Sequence, residues 1–438
     1  MDDNPLDPAA GLRLRPLCRD RILAASPDQL LPPEHPVRAV ATFVAALDFT
    51  SLFERIDARS GAPGAPAYDP RVLFALWLFA TIEGVYSARD LQRRCREDLP
   101  FVWLCGQDAP NYHTLASFFS ANAEFLHRVL ADHLEVLLEH RLVALHEVTI
   151  DGRKMPANAS KQSLHREPTL NRHRQRAEEH LARLHEQRQR AAGETARQAA
   201  ARRRAAAERA GRLAAAVARV KERQAERAER NRKDEPPPSE ARASETDPDV
   251  RKMKLSHGGY VPAYNTQTAT DTASGLIVAV VVTAAGSDGG LLPDLVDRVE
   301  DVTGRRPQRL LADAGYANSD DVRRLEESHV EVYMPTAKER QELKAGKDPY
   351  APKKGDPPAV ACWRARMGTA EAQAVYRRRA PVAEGVHARQ SNRGWKRYRL
   401  RGLAKAGIEA LWQALAHNLC VLATRSWLQP LALRPATA

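Results

Sequence analysis

Three carboxylates are the residues of this 438-residue chain best suited to chemistry: Asp151 in VTIDG, Asp313 in LLADAG and Glu384 in PVAEGV. Asp151 closes a short β-branched run before Gly152, and Asp313 closes an apolar run before Ala314-Gly315. Both patterns predict a strand that finishes on an acid at a turn. Carboxylates at strand ends can converge at one edge of a sheet, and a helical Glu384 can close the cluster. Acids facing one another repel unless a divalent cation neutralises them. Mg²⁺ prefers this hard oxygen donor set, with Mn²⁺ as the substitute. Two such ions can activate an attacking water or hydroxyl and stabilise the leaving oxygen of a phosphodiester. Each acid also has a plainer reading. Asp-Gly is a common turn, Asp313 suits a loop or helix cap, and Glu384 suits the solvated face of a charged helix.

The elements that must position these acids follow from periodicity. Apolar residues at Val37, Val40, Phe43, Val44 and Leu47 predict a helix over 37–53. Asp69-Pro70 opens a second, strongly apolar helix, RVLFALWLFATIE. Ser87 is the expected N-cap of a third, and Thr114 of a long fourth that begins LASFFSANAEF. Residues 31–145 therefore read as a bundle of about five helices. Strand signals then begin at HEVTIDG. They break off at a charged stretch, residues 164–235, read as one long charged helix or, more compactly, a helical hairpin, with Gly193 and Gly211 as candidate breaks and Pro236-Pro237-Pro238 as its end. They resume with the hairpin AYNTQTATD–DTASG–LIVAVVVT. Helix 289–302, strand RLLAD, helix 319–328 and strand VEVYMP follow. Residues 339–360, rich in Lys, Gly and Pro, read as a mobile loop, and helices resume from Thr369.

Composition narrows the partners. Lys and Arg total 67 against 55 Asp and Glu, a formal charge of +12. That excess favours a polyanion, although a basic protein without nucleic acid is the plain alternative. Cys18, Cys95, Cys105, Cys362 and Cys420 form no CxxC pair, which argues against a zinc ribbon or a disulfide framework. A reducing cytoplasm suits such a chain. No membrane span is expected.

Four blocks together resemble the DDE transposases of bacterial insertion sequences, in the branch with an N-terminal helical domain. They are YDPRVLFALWLFATIEGVYSARDLQRRCREDLPFVWLCG with NYHTLASFF, then VTIDGRKM, LLADAGYANSDDV, and AEGVHARQSNRGWKRYRLRGLAKAGIEALWQALAHNL. The resemblance implies catalytic and metal-binding roles for Asp151, Asp313 and Glu384. It also implies an RNase H-like mixed α/β core, interrupted after its first strand by the charged insertion. Tyr264, Asn265 and Gln267 match a Tyr-Asn-x-Gln pattern of the family's second strand, where pairing strands is their expected role. Relatives commonly carry Lys or Arg about seven residues after the Glu. Here that position is Ser391, between Arg389 and Arg393. His387 stands where the family has Phe or Asn, and no chemistry is assigned to it.

The implied organisation is a poorly packed lead-in over 1–30, a helical DNA-binding domain over 31–145, and a catalytic domain over 146–425 holding an insertion and linker over 164–250. The implied partners are double-stranded DNA, as terminal inverted repeats and as target, and a second copy of the chain on that DNA. The implied location is the cytoplasm, at the nucleoid. Arg389, Arg393, Lys396, Arg397, Arg399 and Arg401, interleaved with Trp395 and Tyr398, are the expected phosphate contacts. Two other readings stay open: an RNase H-like nuclease without strand transfer, and an inactive transposase-derived nucleic-acid-binding protein.

Overall fold

The computed structural model describes residues 25–58, 65–186, 196–230, 240–256, 258–426 and 428. Most of the expected lead-in, along with Gly193 and Pro236-Pro237-Pro238, lies outside them. Among the described residues eight helical segments precede the first strand, seven of them within 31–145, where about five were expected. Helix α1 (Pro27–Leu30) is capped by Ser26. The expected helix over 37–53 is two pieces, α2 (Pro36–Ala45) and α3 (Thr50–Phe53). Asp48 separates them and accepts from the Thr50 N–H. Helix α4 (Pro70–Ile82) is buried over most of its length, with Asp69 as its cap and Pro70 in its first turn. Ser87 caps α5 (Ala88–Glu97) as expected, and α6 (Leu99–Cys105) follows.

The long fourth helix is also two: α7 (Tyr112–Ala121) and α8 (Ala123–Glu139). Asn111, not Thr114, caps α7, its side chain accepting from the Thr114 N–H at 3.0 Å. Asn122 breaks the run. Its side chain donates to Phe118 O at 3.0 Å while its backbone leaves the helical region. A short amide that bonds its own backbone competes with helix continuation.

Strand β1 (Glu147–Pro156) is longer than expected. Asp151-Gly152 is not a turn. It lies mid-strand, Asp151 opposite Thr268 and Gly152 opposite Gln267 of the antiparallel β5 (Tyr260–Asp271). The other edge of β5 pairs with β4 (Arg251–Lys254) near its start and with β6 (Ile277–Thr283) beyond. On its far side β1 runs parallel to β7 (Arg309–Leu311), and β7 runs parallel to β8 (Glu331–Tyr333). The sheet thus reads β4/β6, β5, β1, β7, β8. Helices α11 (Leu292–Thr303) and α12 (Ser319–Glu327) make the connections to β7 and β8.

After β1 the chain leaves the sheet. Strand β2 (Leu164–His165) leads into α9 (Glu167–Glu186), then α10 (Ala196–Arg230), and β3 (Ala243–Ser244) returns to pair with β2. Gly211 does not break α10, which runs through it. The hairpin has its own small apolar seam of Leu170, Ala177, Leu213, Ala216, Val217, Val220 and Ala243.

The segment expected as a mobile loop contains α13 (Glu339–Lys344). It is tied by an Arg364–Asp356 ion pair at 2.7 Å to α14 (Pro358–Met367). Helices α15 (Ala370–Arg377), α16 (Arg379–Asn392) and α17 (Leu403–Thr424) complete the chain. Helix α17 packs on α2, α4, α7 and α8 and also on β6, so the N-terminal helices and the sheet share one core. Asn418 is the polar link within it. Its side chain bonds both backbone groups of Ile277 in β6 at 2.8 Å and donates to His133 Nε2 in α8 at 3.1 Å.

Candidate active site

Asp151 and Asp313 meet because β1 and β7 are parallel neighbours. Asp151 projects from the middle of β1. Asp313 follows β7 and caps a short 3-10 turn, accepting from the Gly315 N–H at 2.7 Å. One cation spans the pair: Arg379 Nη2, in the first turn of α16, lies 2.6 Å from Asp151 Oδ1 and 3.4 Å from Asp313 Oδ2. Two turns further along α16, His387 Nε2 lies 2.9 Å from Asp151 Oδ2. Next to Arg379, Arg378 pairs with Glu147 of β1 at 2.7 Å. These contacts dock α16 against β1.

The two carboxyls are shifted in opposite directions. Burial pushes the Asp151 carboxyl up, but the hydrogen bond and charge of His387 and the charge of Arg379 outweigh it, so the group sits below the ordinary carboxylate value. Burial raises Asp313 and prevails there. Arg379 and the Gly315 N–H oppose it, while Asp151 and Asp288 add to it. Separated values in one acidic cluster are a recurrent feature of functional sites.

Asp288, in the loop between β6 and α11, is a carboxylate not foreseen in the sequence. Its Oδ1 accepts from Asn265 Nδ2 at 2.6 Å and from Gln267 Nε2 at 2.9 Å. Tyr316 donates in turn to Gln267 Oε1. The family pattern therefore holds more than strand pairing. Asn265 and Gln267 are two apart on β5, on one face of the sheet, and both grip Asp288. Tyr264 faces the other way and donates to Asp247 at 2.8 Å. The sequence signal for Asp288 was weak, because GSDGG reads as a turn.

Gly152 has a steric reason. A Cβ there would lie 2.6 Å from Gln267 Nε2, 2.8 Å from the Tyr316 hydroxyl and 2.9 Å from Asp288 Oδ1. The glycine beside Asp151 lets this polar cradle close onto the strand.

Glu384 is not drawn into the pair. It is exposed on α16, with no hydrogen-bond or ion-pair partner recorded among the described residues. It stands one turn from His387, which puts the two side chains next to each other on the helix surface. His387, to which the sequence assigned no chemistry, touches Asp151 from α16 alongside Arg379.

Oxygen donors suited to a hard cation are present: Asp151, Asp313 and Asp288, with Asn265 Oδ1 buried and unpartnered beside them. Arg379 supplies the positive charge between the two aspartates, and its Nε is also buried without a partner. The donor chemistry suits a hard cation, and in this structure the Arg379 guanidinium stands between the two aspartates.

The expected phosphate-contacting group divides. Trp395 and Tyr398 are buried, 1% and 0% exposed, so neither ring can stack on a base. Trp395 donates to Glu409 at 3.0 Å, and Tyr398 bonds Thr266 at 2.5 Å. Arg397 and Arg401 reach the end of β1, bonding Ala157 O and Asn158 O, and Arg399 covers the Tyr86 ring. Lys396 is exposed. Arg389 and Arg393, flanking Ser391, line a separate groove of about 510 Å³ with Cys420 and Arg425.

Among the described residues no helix is long and apolar enough to cross a membrane. No curated protein and no solved structure matches the chain significantly. Two families do. Residues 25–121 match a family described as a transposase domain of the DUF772 type, and residues 238–419 match the transposase DDE domain. The second match contains Asp288, Asp313 and Glu384 but not Asp151, which the insertion separates in sequence and the sheet restores between β5 and β7. The two matches, in order along one chain and on either side of a strand whose aspartate completes the acidic pair, support a DDE transposase of the insertion-sequence kind.

Proposed function

We propose that this transposase cuts the phosphodiester at each end of its element, frees a 3′-OH, and joins that hydroxyl to target DNA at the same acidic site. The observation that carries the reading is the sharing of one guanidinium by Asp151 and Asp313 on adjacent parallel strands. The strand order supports an RNase H-like core: β4, β6 and the antiparallel β5 stand beside the parallel trio β1, β7 and β8, with Asp151 on the first of that trio and Asp313 just beyond the second. The N-terminal helices over 31–145 would contribute to binding the terminal inverted repeats, and the sheet domain over 146–425 would hold the chemistry.

Asp151 and Asp313 would hold Mg²⁺ or Mn²⁺, with Glu384 as the third ligand. The bound ions supply Lewis-acid stabilisation of the attacking and leaving oxygens. His387 keeps Asp151 ionised and oriented. Asn265 and Gln267 fix Asp288 at the rim. With the carboxylate charge taken up, the Arg379 guanidinium is left with free donors, the group that pairs best with a phosphate oxygen. Lys396, Arg397, Arg399 and Arg401 then form a basic edge beside β1 for the DNA backbone. Two DNA ends must be joined, so the working form is a homodimer on DNA.

The test is cleavage of cognate end DNA with Mg²⁺, resolved on a gel. Asp151→Ala and Asp313→Ala each remove several kcal/mol of transition-state stabilisation, a loss of about a thousandfold or more. Cleavage that survives either change would sink the assignment. Strand-transfer products separate the transposase from a nuclease that only cuts. DNA binding without cleavage by the unaltered chain marks an inactive descendant.

A further inference from the structure

The charged insertion carries a second cluster with metal-ligand chemistry, separate from the acidic pair. His165 on β2, His173 on α9 and Glu245 just after β3 place one ligand atom each within 4.8 Å of the other two. His173 Nδ1 lies 2.8 Å from Glu245 Oε2, and His165 Nε2 lies 3.9 Å from Glu245 Oε1. The imidazole rings meet edge to face at 5.1 Å. We propose that His165, His173 and Glu245 bind a transition-metal ion, Zn²⁺ in the first place, which staples the base of the insertion hairpin.

The donor set points to the metal. Two imidazoles and a carboxylate are borderline ligands that suit Zn²⁺ better than Mg²⁺ or Ca²⁺. Ligand atoms around tetrahedral Zn²⁺ stand ~3.3 Å apart, given bonds of about 2.0–2.1 Å. One ligand atom from each of the three residues lies within 4.8 Å of the other two, so modest side-chain rotation closes the site. Charge favours it too. Glu245 sits in an Arg-rich region, yet its only ion-pair contacts among the described residues are these two histidines. The side chains are 25%, 29% and 32% exposed, which leaves a fourth position for water.

The placement gives the ion a structural task. The β2–β3 ladder is two residue pairs long, and the hairpin seam is small. The segment bearing Glu245 is already tied inward. Its N–H donates to Ser163 O at 3.0 Å, and nearby Asp247 accepts from Tyr264 and from the Gly402 N–H. An ion joining α9 to that segment would fix where the long helices leave the core.

The test is calorimetric titration of the full chain with Zn²⁺ in the presence of excess Mg²⁺, followed by limited proteolysis of the insertion with and without Zn²⁺. One tight equivalent and slower cleavage within 167–230 are expected. Loss of an outer-sphere partner alone weakens metal sites by about 10–100-fold. Loss of a direct ligand in His173→Ala or Glu245→Gln should therefore cost at least about a hundredfold. Glu245→Gln keeps the hydrogen bond to His173, so it reads ligation even if His173→Ala folds poorly. The Asp151→Ala/Asp313→Ala double variant should keep the site. No tight equivalent in the unaltered chain, unchanged affinity in Glu245→Gln, or loss of the equivalent in the double aspartate variant would overturn the proposal.

Discussion

His387 Nε2 sits 2.9 Å from Asp151 Oδ2, and this contact, with Arg379 on the other oxygen, holds the Asp151 carboxyl below its ordinary value against the effect of burial. His387→Ala should raise the Asp151 value. The acid limb of Mn²⁺ binding, followed by calorimetry against pH, should then move to higher pH. His387→Asn, which keeps a donor, should move it less. A limb that stays in place in His387→Ala would remove His387 from the site.

Arg379→Ala leaves two acids facing each other without a cation. Breaking a buried pair costs 3–5 kcal/mol. Asp313 is 45% exposed, so solvent screening reduces the cost here to about 2–3 kcal/mol. The signs oppose. The depressed Asp151 contributes stability above its ordinary value, lost as pH falls through its lowered one. The raised Asp313 contributes below its ordinary value, lost as pH rises through its raised one. Denaturant melts of Arg379→Ala should show the larger deficit at neutral pH, and added Mg²⁺ should recover part of it. A variant as stable as the parent at pH 7 would contradict the bridging role.

Glu384 and Asp288 separate function from structure. Glu384 is exposed and has no partner among the described residues, so Glu384→Gln should change stability by no more than about 0.5 kcal/mol while abolishing end cleavage. Asp288→Ala strands the amides of Asn265 and Gln267, a cost of about 1–3 kcal/mol, and should also slow cleavage. Full activity in Glu384→Gln would move the third-ligand role to Asp288.

Gly152→Ala places a methyl 2.6–2.9 Å from three polar atoms of the cradle. Overpacking of this kind costs about 1–3 kcal/mol. Thermal unfolding should show that loss, with a fall in cleavage beyond what stability explains. An unaffected variant would mean that the cradle is not close-packed in solution.

His133 and His417 are buried, and burial pushes both down to about 4. The unfolded chain takes up protons near pH 6.5, and the folded chain refuses them until about pH 4. Stability should therefore fall as pH drops across that window, by ~3 kcal/mol for each histidine. His133→Asn with His417→Asn should flatten this part of the profile. An unchanged acid slope in the double variant would assign the loss elsewhere.

The sequence alone determined the features written in local chemistry. The Ser87 and Asp69 caps, the β5–β6 hairpin and the alternating strands and helices after Gly258-Gly259 each depend on neighbours a few residues apart. The family blocks located Asp151, Asp313 and Glu384. Tertiary structure decided what lies next to what. Asp-Gly at 151–152 looks like a turn because those residues favour turns. Pairing with β5, continuous from Val148 to Pro156, carries the strand straight through it. The helix expected from Thr114 breaks at Asn122 because one amide bonds its own backbone. Asp288, Arg379 and His387 reach Asp151, Asp313 or their cradle across separations that no periodicity records. The acid pair itself, legible as two aspartates, becomes a site only because parallel pairing of β1 with β7 cancels a separation of 162 positions along the chain.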